Sequence, residues 1–162
     1  MKNNFIWFFL AFISIISCTK DDICEEGTST TPSLVIEFKD ANDNTLSKAV
    51  ENLKVLLTDT DNTEVYSGTS DTLISIPLNT LASFTEYQLV ANSTDENNMD
   101  TDLITFTYTR EDVYINRACA FKAIFNELGV NVEGETSNWI QSFTIQKNTV
   151  EDETEAHLTI FH

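Results

Sequence analysis

The chain has 162 residues, of which 26 are acidic and 9 are basic, so its formal net charge is −17. A surface this acidic repels phosphate backbones, and we therefore exclude nucleic acid as a partner. The length suits one ordinary domain, and regularly spaced Phe, Ile, Leu, Val and Tyr residues argue against the disorder that high acidity can produce.

Residues 1–17 have the pattern of a bacterial export signal. Lys2 supplies a short positive region, and residues 5–16 are apolar apart from Ser14. A secretory signal has an apolar stretch of this length, whereas a membrane span needs about 20 apolar residues. We therefore expect residues 1–17 to be removed on export.

The end of this signal, Ile15-Ile16-Ser17-Cys18, resembles the lipobox of bacterial lipoproteins. In that class the Cys sulfur receives diacylglycerol and the peptide is cut before the Cys. Each buried CH₂ contributes about 0.8 kcal/mol, so two or more acyl chains make the attachment stable. The resemblance implies that Cys18 is lipidated and anchors a water-soluble body to the bilayer. The alternative is an ordinary signal with a chance Cys near its end.

The residues after Cys18, Thr19-Lys20-Asp21-Asp22, resemble the surface-export signal of Bacteroidetes lipoproteins. This resemblance implies an outer-membrane protein that faces the medium. A polar tether on a lipoprotein that faces the periplasm is the alternative. We interpret residues 18–33 as the tether in either case.

Two cysteines remain if Cys18 is lipidated. An even pair in an exported protein is typical of a disulfide, so we predict a bond between Cys24 and Cys119. It would close a loop of about 95 residues, which the chain-entropy model values at roughly 4–5 kcal/mol. Two free thiols are the alternative.

Alternating apolar and polar residues from Leu34 onward predict eight or nine short strands. Their apolar positions are Leu34, Ile36 and Phe38; Leu53, Val55 and Leu57; Val65 and Tyr66; 73–78; 87–91; Ile104, Phe106 and Tyr108; alternate residues of 113–125; Trp139, Phe143 and Ile145; and Ala156, Leu158 and Ile160.

Two connections in this pattern carry their own predictions. The most helix-like window is 79–84, about one turn long, and Arg110-Glu111-Asp112 suggests a hairpin turn. We predict an all-β domain over 34–162, a single two-sheet β-sandwich of immunoglobulin-like or transthyretin-like type, with a small β-barrel as the alternative.

Arg117 shares strand parity with Val113, Ile115 and Cys119, so simple alternation points its charge at the core. Because an unpaired buried charge is prohibitive, Arg117 must be paired, lie at a sheet end, or be turned outward by a bulge. We interpret it as a structural charge on a core-facing strand rather than a binding residue.

The spacing of Asp40, Asn42, Asn44 and Glu51 resembles the oxygen ligands of an EF-hand calcium loop. It departs from that pattern because Thr45 replaces the turn glycine and a strand precedes the loop. Asp and Asn also dominate ordinary turns. We therefore expect no cofactor, with calcium at these residues as the alternative.

Catalytic motifs are missing from the sequence. His157 has the parity opposite to Leu158 and Ile160, which predicts an exposed side chain. No G-x-S-x-G motif occurs, and 4 glycines are too few for a phosphate cradle. Asp71-Thr72-Leu73 resembles an O-glycosylation signal of Bacteroidetes, and a polar turn before a strand is the alternative reading of Thr72.

The segment 117–122, Arg-Ala-Cys-Ala-Phe-Lys, follows Thr105-Phe106-Thr107-Tyr108. Together with Cys18 and Cys24 this resembles a family of outer-membrane lipoproteins from marine and environmental Flavobacteriia. The resemblance implies membrane anchoring and one small domain, and no activity. We expect a non-enzymatic envelope module that binds a protein or a glycan as an accessory; a structural or calcium-binding surface domain is the alternative.

Overall fold

A computed structural model describes residues 23–28, 30–134 and 138–162, and in these residues the protein is all-β, without a helix. The all-β prediction is therefore confirmed. The strands are β1 Leu34–Lys39, β2 Val50–Glu51, β3 Lys54–Leu57, β4 Glu64–Ser67, β5 Ser70–Asp71, β6 Leu73–Ile76, β7 Phe84–Ala91, β8 Asp100–Asn116, β9 Ala120–Val132, β10 Ser142–Ile145 and β11 Leu158–Phe161.

These strands form three sheets, with the orders β10-β11-β1-β6, β2-β5 and β4-β3-β7-β8-β9. None of the three is closed within the described residues, so the small barrel is wrong. In the four-stranded sheet the first and last strands are neighbours: β1 pairs in parallel with β11, with Ile36 opposite Leu158. Every other strand pair is antiparallel.

One hydrophobic core joins the two larger sheets. Ile36 and Phe38 of β1 belong to the same buried cluster as Leu89 of β7 and Phe106 of β8. Full burial of a Phe, Leu or Ile side chain contributes roughly 1.5–3 kcal/mol, so this shared core holds the two sheets together. The alternation of β1 and β8 predicted these inward positions correctly.

The longest feature is the β8–β9 hairpin, part of which extends beyond the sheet. Pairing of β7 with β8 stops at Phe84 opposite Thr107, so later residues of β8 pair only with β9. The register of the β8–β9 pair shifts between Thr107 and Thr109, and Glu127 of β9 has a φ of 57°. We call residues 109–126 the arm.

The arm turns at residues 117–119, and not at Arg110-Glu111-Asp112 as the sequence suggested. Those three residues lie within β8 and pair with Phe125, Ile124 and Ala123. At the turn the Asn116 Oδ1 accepts a hydrogen bond from the Cys119 N–H at 2.7 Å.

Arg117 lies in this turn at the end of the arm and is exposed, which is the sheet-end position that the sequence left open. Its core-facing parity was wrong because the sequence pattern treated the ends of two strands as one continuous strand. The 79–84 segment likewise contains a turn and bends rather than helix, and it leads into β7.

His157 is buried, at 1% exposure, and not exposed as its parity suggested. The His157 Nδ1 accepts a hydrogen bond from the Val35 N–H at 3.1 Å. The backbone N–H of His157 donates to the Val35 carbonyl at 2.9 Å. The Gln146 N–H also donates to the His157 carbonyl at 2.8 Å. Leu158, Thr159 and Ile160 of β11 are also buried, so both faces of this strand are covered, which simple alternation does not anticipate.

No helix in the described ranges has the length and apolar character needed to cross a membrane. The apolar run at 5–16 and the lipobox that ends in Cys18 lie outside the described residues.

Candidate functional site

The disulfide between Cys24 and Cys119 is formed, as predicted from the cysteine count, with the two Cα atoms 4.9 Å apart. It joins the N-terminal segment to the turn of the arm. The segment then follows the outer edge of β9, where the Thr31 Oγ1 accepts a hydrogen bond from the Ala123 N–H at 3.0 Å. The chain therefore runs from the end of the arm towards the body before β1 begins.

Two aromatic side chains occupy the end of the arm. Tyr114 and Phe121 are cross-strand neighbours, and their rings meet edge to face with centroids 5.3 Å apart. Their exposed fractions are 59% and 62%, and Ile23 beside Cys24 is 72% exposed. We call Ile23, Tyr114, Phe121 and the adjoining disulfide the arm tip.

A cavity of about 390 Å³ opens where the arm meets the body. We call it the arm groove; its lining residues are Thr31, Thr80, Arg110, Asp112, Phe121 and Ala123. A neighbouring cavity of about 340 Å³ lies under the arm tip, where Ile115 and Cys119 face Thr28, Thr30 and Thr31 of the N-terminal segment. Both polar and aromatic groups therefore face the groove.

The Arg110 guanidinium is held in place at the groove. Its Nη1 donates to the Thr80 carbonyl at 2.8 Å, and its Nη2 forms an ion pair with Asp112. A planar guanidinium fixed by a carbonyl and a carboxylate offers its remaining N–H groups in defined directions. The groove thus has a preorganised donor.

The loop 77–83 beside the groove is tied to the sheet by a ring of hydrogen bonds. The Thr85 Oγ1 accepts from the Asn79 N–H at 2.8 Å and lies 2.5 Å from the Tyr108 Oη, which donates to the Asn79 carbonyl at 2.8 Å. The Tyr87 hydroxyl also donates to the Pro77 carbonyl. Burial raises the pKa of the Tyr108 and Tyr87 hydroxyls, so both remain donors at neutral pH.

Leu81 is at the outer end of this loop and is 91% exposed. Its N–H donates to the Asn79 Oδ1 at 2.8 Å, which closes a tight turn around it. The sequence pattern did not predict a leucine held outward by an ordered loop, since the window 79–84 resembled a helical turn. An Asn two residues before an apolar residue is the one local signal for such a turn.

Two of the four residues considered for calcium, Asp40 and Glu51, accept hydrogen bonds from nearby groups of the protein. The Asp40 Oδ1 accepts the N–H groups of Asn42 and Asp43, at 2.6 and 3.3 Å, and these bonds lower the pKa of the Asp40 carboxyl. Glu51 accepts from the Ser70 hydroxyl at 3.0 Å. Asn42 and Asn44 are exposed, and the part of the chain that the structure describes has no cluster of His, Cys, Asp or Glu suited to a metal.

Trp139 is partly buried against the hydrophobic core and does not form an open aromatic face for a glycan. Its Nε1 donates to the Leu89 carbonyl at 3.1 Å, and its ring contacts Phe38 and His162. Thr72 is exposed between β5 and β6, so its predicted modification remains a prediction.

The arrangement defines an all-β protein of three sheets with an arm that is covalently tied to the N-terminal segment. The chain belongs to the family DUF6452, described as a family of unknown function, which matches residues 52–162. The matched region includes the arm and Cys119, whereas Cys24 and β1 precede it. No curated protein and no solved structure shows significant similarity to the chain.

Proposed function

We propose that this protein is a non-enzymatic lipoprotein of the bacterial outer membrane, with a two-sheet sandwich body of immunoglobulin-like or transthyretin-like type. It acts as an accessory module that binds a segment of another envelope protein at the arm groove. Cys18 carries the lipid, and the body faces the medium.

The observation that supports binding is the exposed Leu81 on a hydrogen-bonded loop beside the groove. Full burial of a leucine contributes roughly 1.5–3 kcal/mol, and the unbound protein lacks this contribution because Leu81 is exposed. Because the loop is already ordered, a partner would bury the side chain without an added cost of ordering it. Rigid apolar anchors of this kind dominate the energy of protein interfaces.

A protein partner agrees with these contacts better than a glycan does. Glycan platforms need flat, open aromatic faces, whereas Trp139 packs against Phe38 and His162, and the exposed rings of Tyr114 and Phe121 meet edge to face. The groove instead has the oriented guanidinium of Arg110, with the aliphatic anchor Leu81 on the loop beside it. A peptide that offers an apolar side chain and a carbonyl or carboxylate oxygen would satisfy both.

A photocrosslinking amino acid at position 81 tests this function in intact cells that express the full chain. We expect one discrete crosslinked envelope protein from position 81. The matched control is position 46, since Leu46 is 57% exposed in the loop between β1 and β2, away from the arm. Adducts of identical pattern at both positions, or recovery of the bait alone, would contradict the proposal.

Protease shaving tests the side of the membrane on which the body lies. Treatment of intact cells should degrade the protein if it faces the medium. Survival in intact cells with cleavage only after lysis would overturn surface exposure while leaving the anchor and the groove untouched.

A further inference from the structure

We propose that the arm tip rests on the bilayer that carries the lipid anchor, with Ile23, Tyr114 and Phe121 in the headgroup region. This inference rests on the lipid anchor of the proposed function and adds a second, non-covalent contact with the same membrane. It makes the arm a support that orients the body, with the end of the arm groove that Phe121 lines nearest the membrane.

The length of chain before the disulfide limits where the tip can be. Cys24 follows Cys18 by six residues. Since an extended chain spans at most about 3.6 Å per residue, the two Cα atoms lie within about 22 Å of each other. Cys24 is bonded to Cys119, and Phe121 is two residues further along the arm. The lipid attachment therefore keeps the tip within this short distance of the acylated residue.

The direction of the chain beyond the disulfide adds to this restriction. Residues 24–28 and 30–31 lead from the tip along the edge of β9, and β1 then runs away from the arm. The loop that contains Leu46 follows the far end of β1 at Lys39. The two ends of the body thus differ in their distance from the anchor.

The exposed groups at the tip suit a membrane interface. Tyr favours the boundary between headgroups and acyl chains, because its ring is apolar and its hydroxyl remains hydrated, whereas Phe and Ile supply apolar surface that is buried there. Tyr114 and Phe121 expose more than half of their surface and contact each other edge to face, so they present one continuous apolar area. Ile23 adds an aliphatic side chain on the adjoining segment.

Charge also distinguishes this part of a strongly acidic chain. Residues 113–126 contain no Asp or Glu, and they include Arg117 and Lys122. Cationic groups near an anionic headgroup layer are attracted to it, whereas the carboxylates of Glu25 and Glu26 beside Cys24 oppose that attraction. Because these opposite charges largely offset each other, burial of the aromatic and aliphatic groups supplies most of the binding free energy of this contact.

The test uses the lipidated full-length product, purified from membranes and reconstituted in vesicles of phosphatidylethanolamine and phosphatidylglycerol with brominated acyl chains. Phe121→Trp and Tyr114→Trp place a fluorescent reporter at the tip. Leu46→Trp is the control, since Leu46 is similarly exposed at the other end of β1. All three replace exposed side chains, and Trp139 contributes the same half-buried background to each.

We expect a blue shift and quenching of the emission from Phe121→Trp and Tyr114→Trp by the brominated lipid, and no change for Leu46→Trp. Flotation with the vesicles reports the anchor separately. Flotation without quenching at either tip position would overturn the inference and leave the anchor standing. Equal quenching at position 46 would also overturn it, and failure to float would overturn both the anchor and the tip contact.

Discussion

Cys24 and Cys119 lie 95 residues apart in the sequence, and their disulfide brings the start of the described chain to the turn of the arm. The bond spans a region that begins before β1 and ends within the family match at 52–162. It therefore connects the segment that follows the predicted anchor to the most extended part of the fold.

Removal of this disulfide should lower the free energy of unfolding. In Cys24→Ser/Cys119→Ser we expect a loss of up to roughly 4–5 kcal/mol, because the unfolded chain regains the entropy of a loop of about 95 residues. Denaturant titration of the mature chain measures it. Dithiothreitol should lower the midpoint of the wild type to that of the variant; an unchanged midpoint in both experiments would count against a stabilising role.

Acid should destabilise the protein through His157. Burial lowers the pKa of this imidazole, and the nearby Lys147 lowers it further, against the opposing Asp152 and Glu153. Below about pH 6.5 the unfolded His takes up a proton that the folded His, which accepts the Val35 N–H, does not. Stability is thus fully present above this pH and decreases as the pH falls.

Denaturant unfolding at a series of pH values checks this expectation. His157→Gln keeps an acceptor for the Val35 N–H and removes the titrating group, so its stability should depend less on pH between about 6.5 and 5. The His162 imidazole, whose pKa is also lowered by burial, supplies the remaining slope in that range. An identical slope in wild type and His157→Gln would rule out the buried imidazole as the source.

Two phenylalanines of β9 should differ sharply on truncation. Phe125 is fully buried and packs edge to face on Tyr108, with ring centroids 4.9 Å apart, whereas Phe121 is 62% exposed. We expect Phe125→Ala to cost about 3–5 kcal/mol and Phe121→Ala no more than about 0.5 kcal/mol. Equal costs in chemical denaturation would show that the arm tip is packed in solution.

Gly129 should tolerate no side chain opposite Thr107. A Cβ at Gly129 would lie 2.5 Å from the Thr107 Oγ1, its cross-strand neighbour next to the register shift. We expect Gly129→Ala to destabilise the protein by roughly 1–3 kcal/mol through overpacking. Thr107→Ala in the same chain should recover most of the loss, and a double-mutant cycle with additive costs would refute this contact.

The arm shows where sequence patterns stop being informative. Beyond Thr107 the β8–β9 pair has lost its β7 neighbour, and β8 is exposed or half-buried from Thr109 to Asn116. Apolar and polar residues of this part of β8 then no longer mark inner and outer faces, so the charged run at 110–112 resembled a turn. The actual turn at 117–119 has no Gly or Pro and uses the side chain of Asn116 instead.

The arm groove could not be predicted from the sequence, because its lining residues are distant from one another along the chain. Thr31, Thr80 and Arg110 come from three separate segments, and only the folded chain places them around one cavity. The exposure of Leu81 depends on two hydrogen bonds of Asn79, whose N–H donates to the Thr85 hydroxyl and whose carbonyl accepts from the Tyr108 hydroxyl, and neither leaves a periodic pattern.

Alternation along single strands and a residue count were enough to predict the all-β class, the inward positions of β1 and of β8 up to Tyr108, and the cysteine pair. The parallel pairing of β1 with β11 and the burial of His157 depend on contacts that no local pattern records. The physical reason is the range of the contacts: alternation is local, whereas the Val35–His157 hydrogen bond joins residues 122 positions apart.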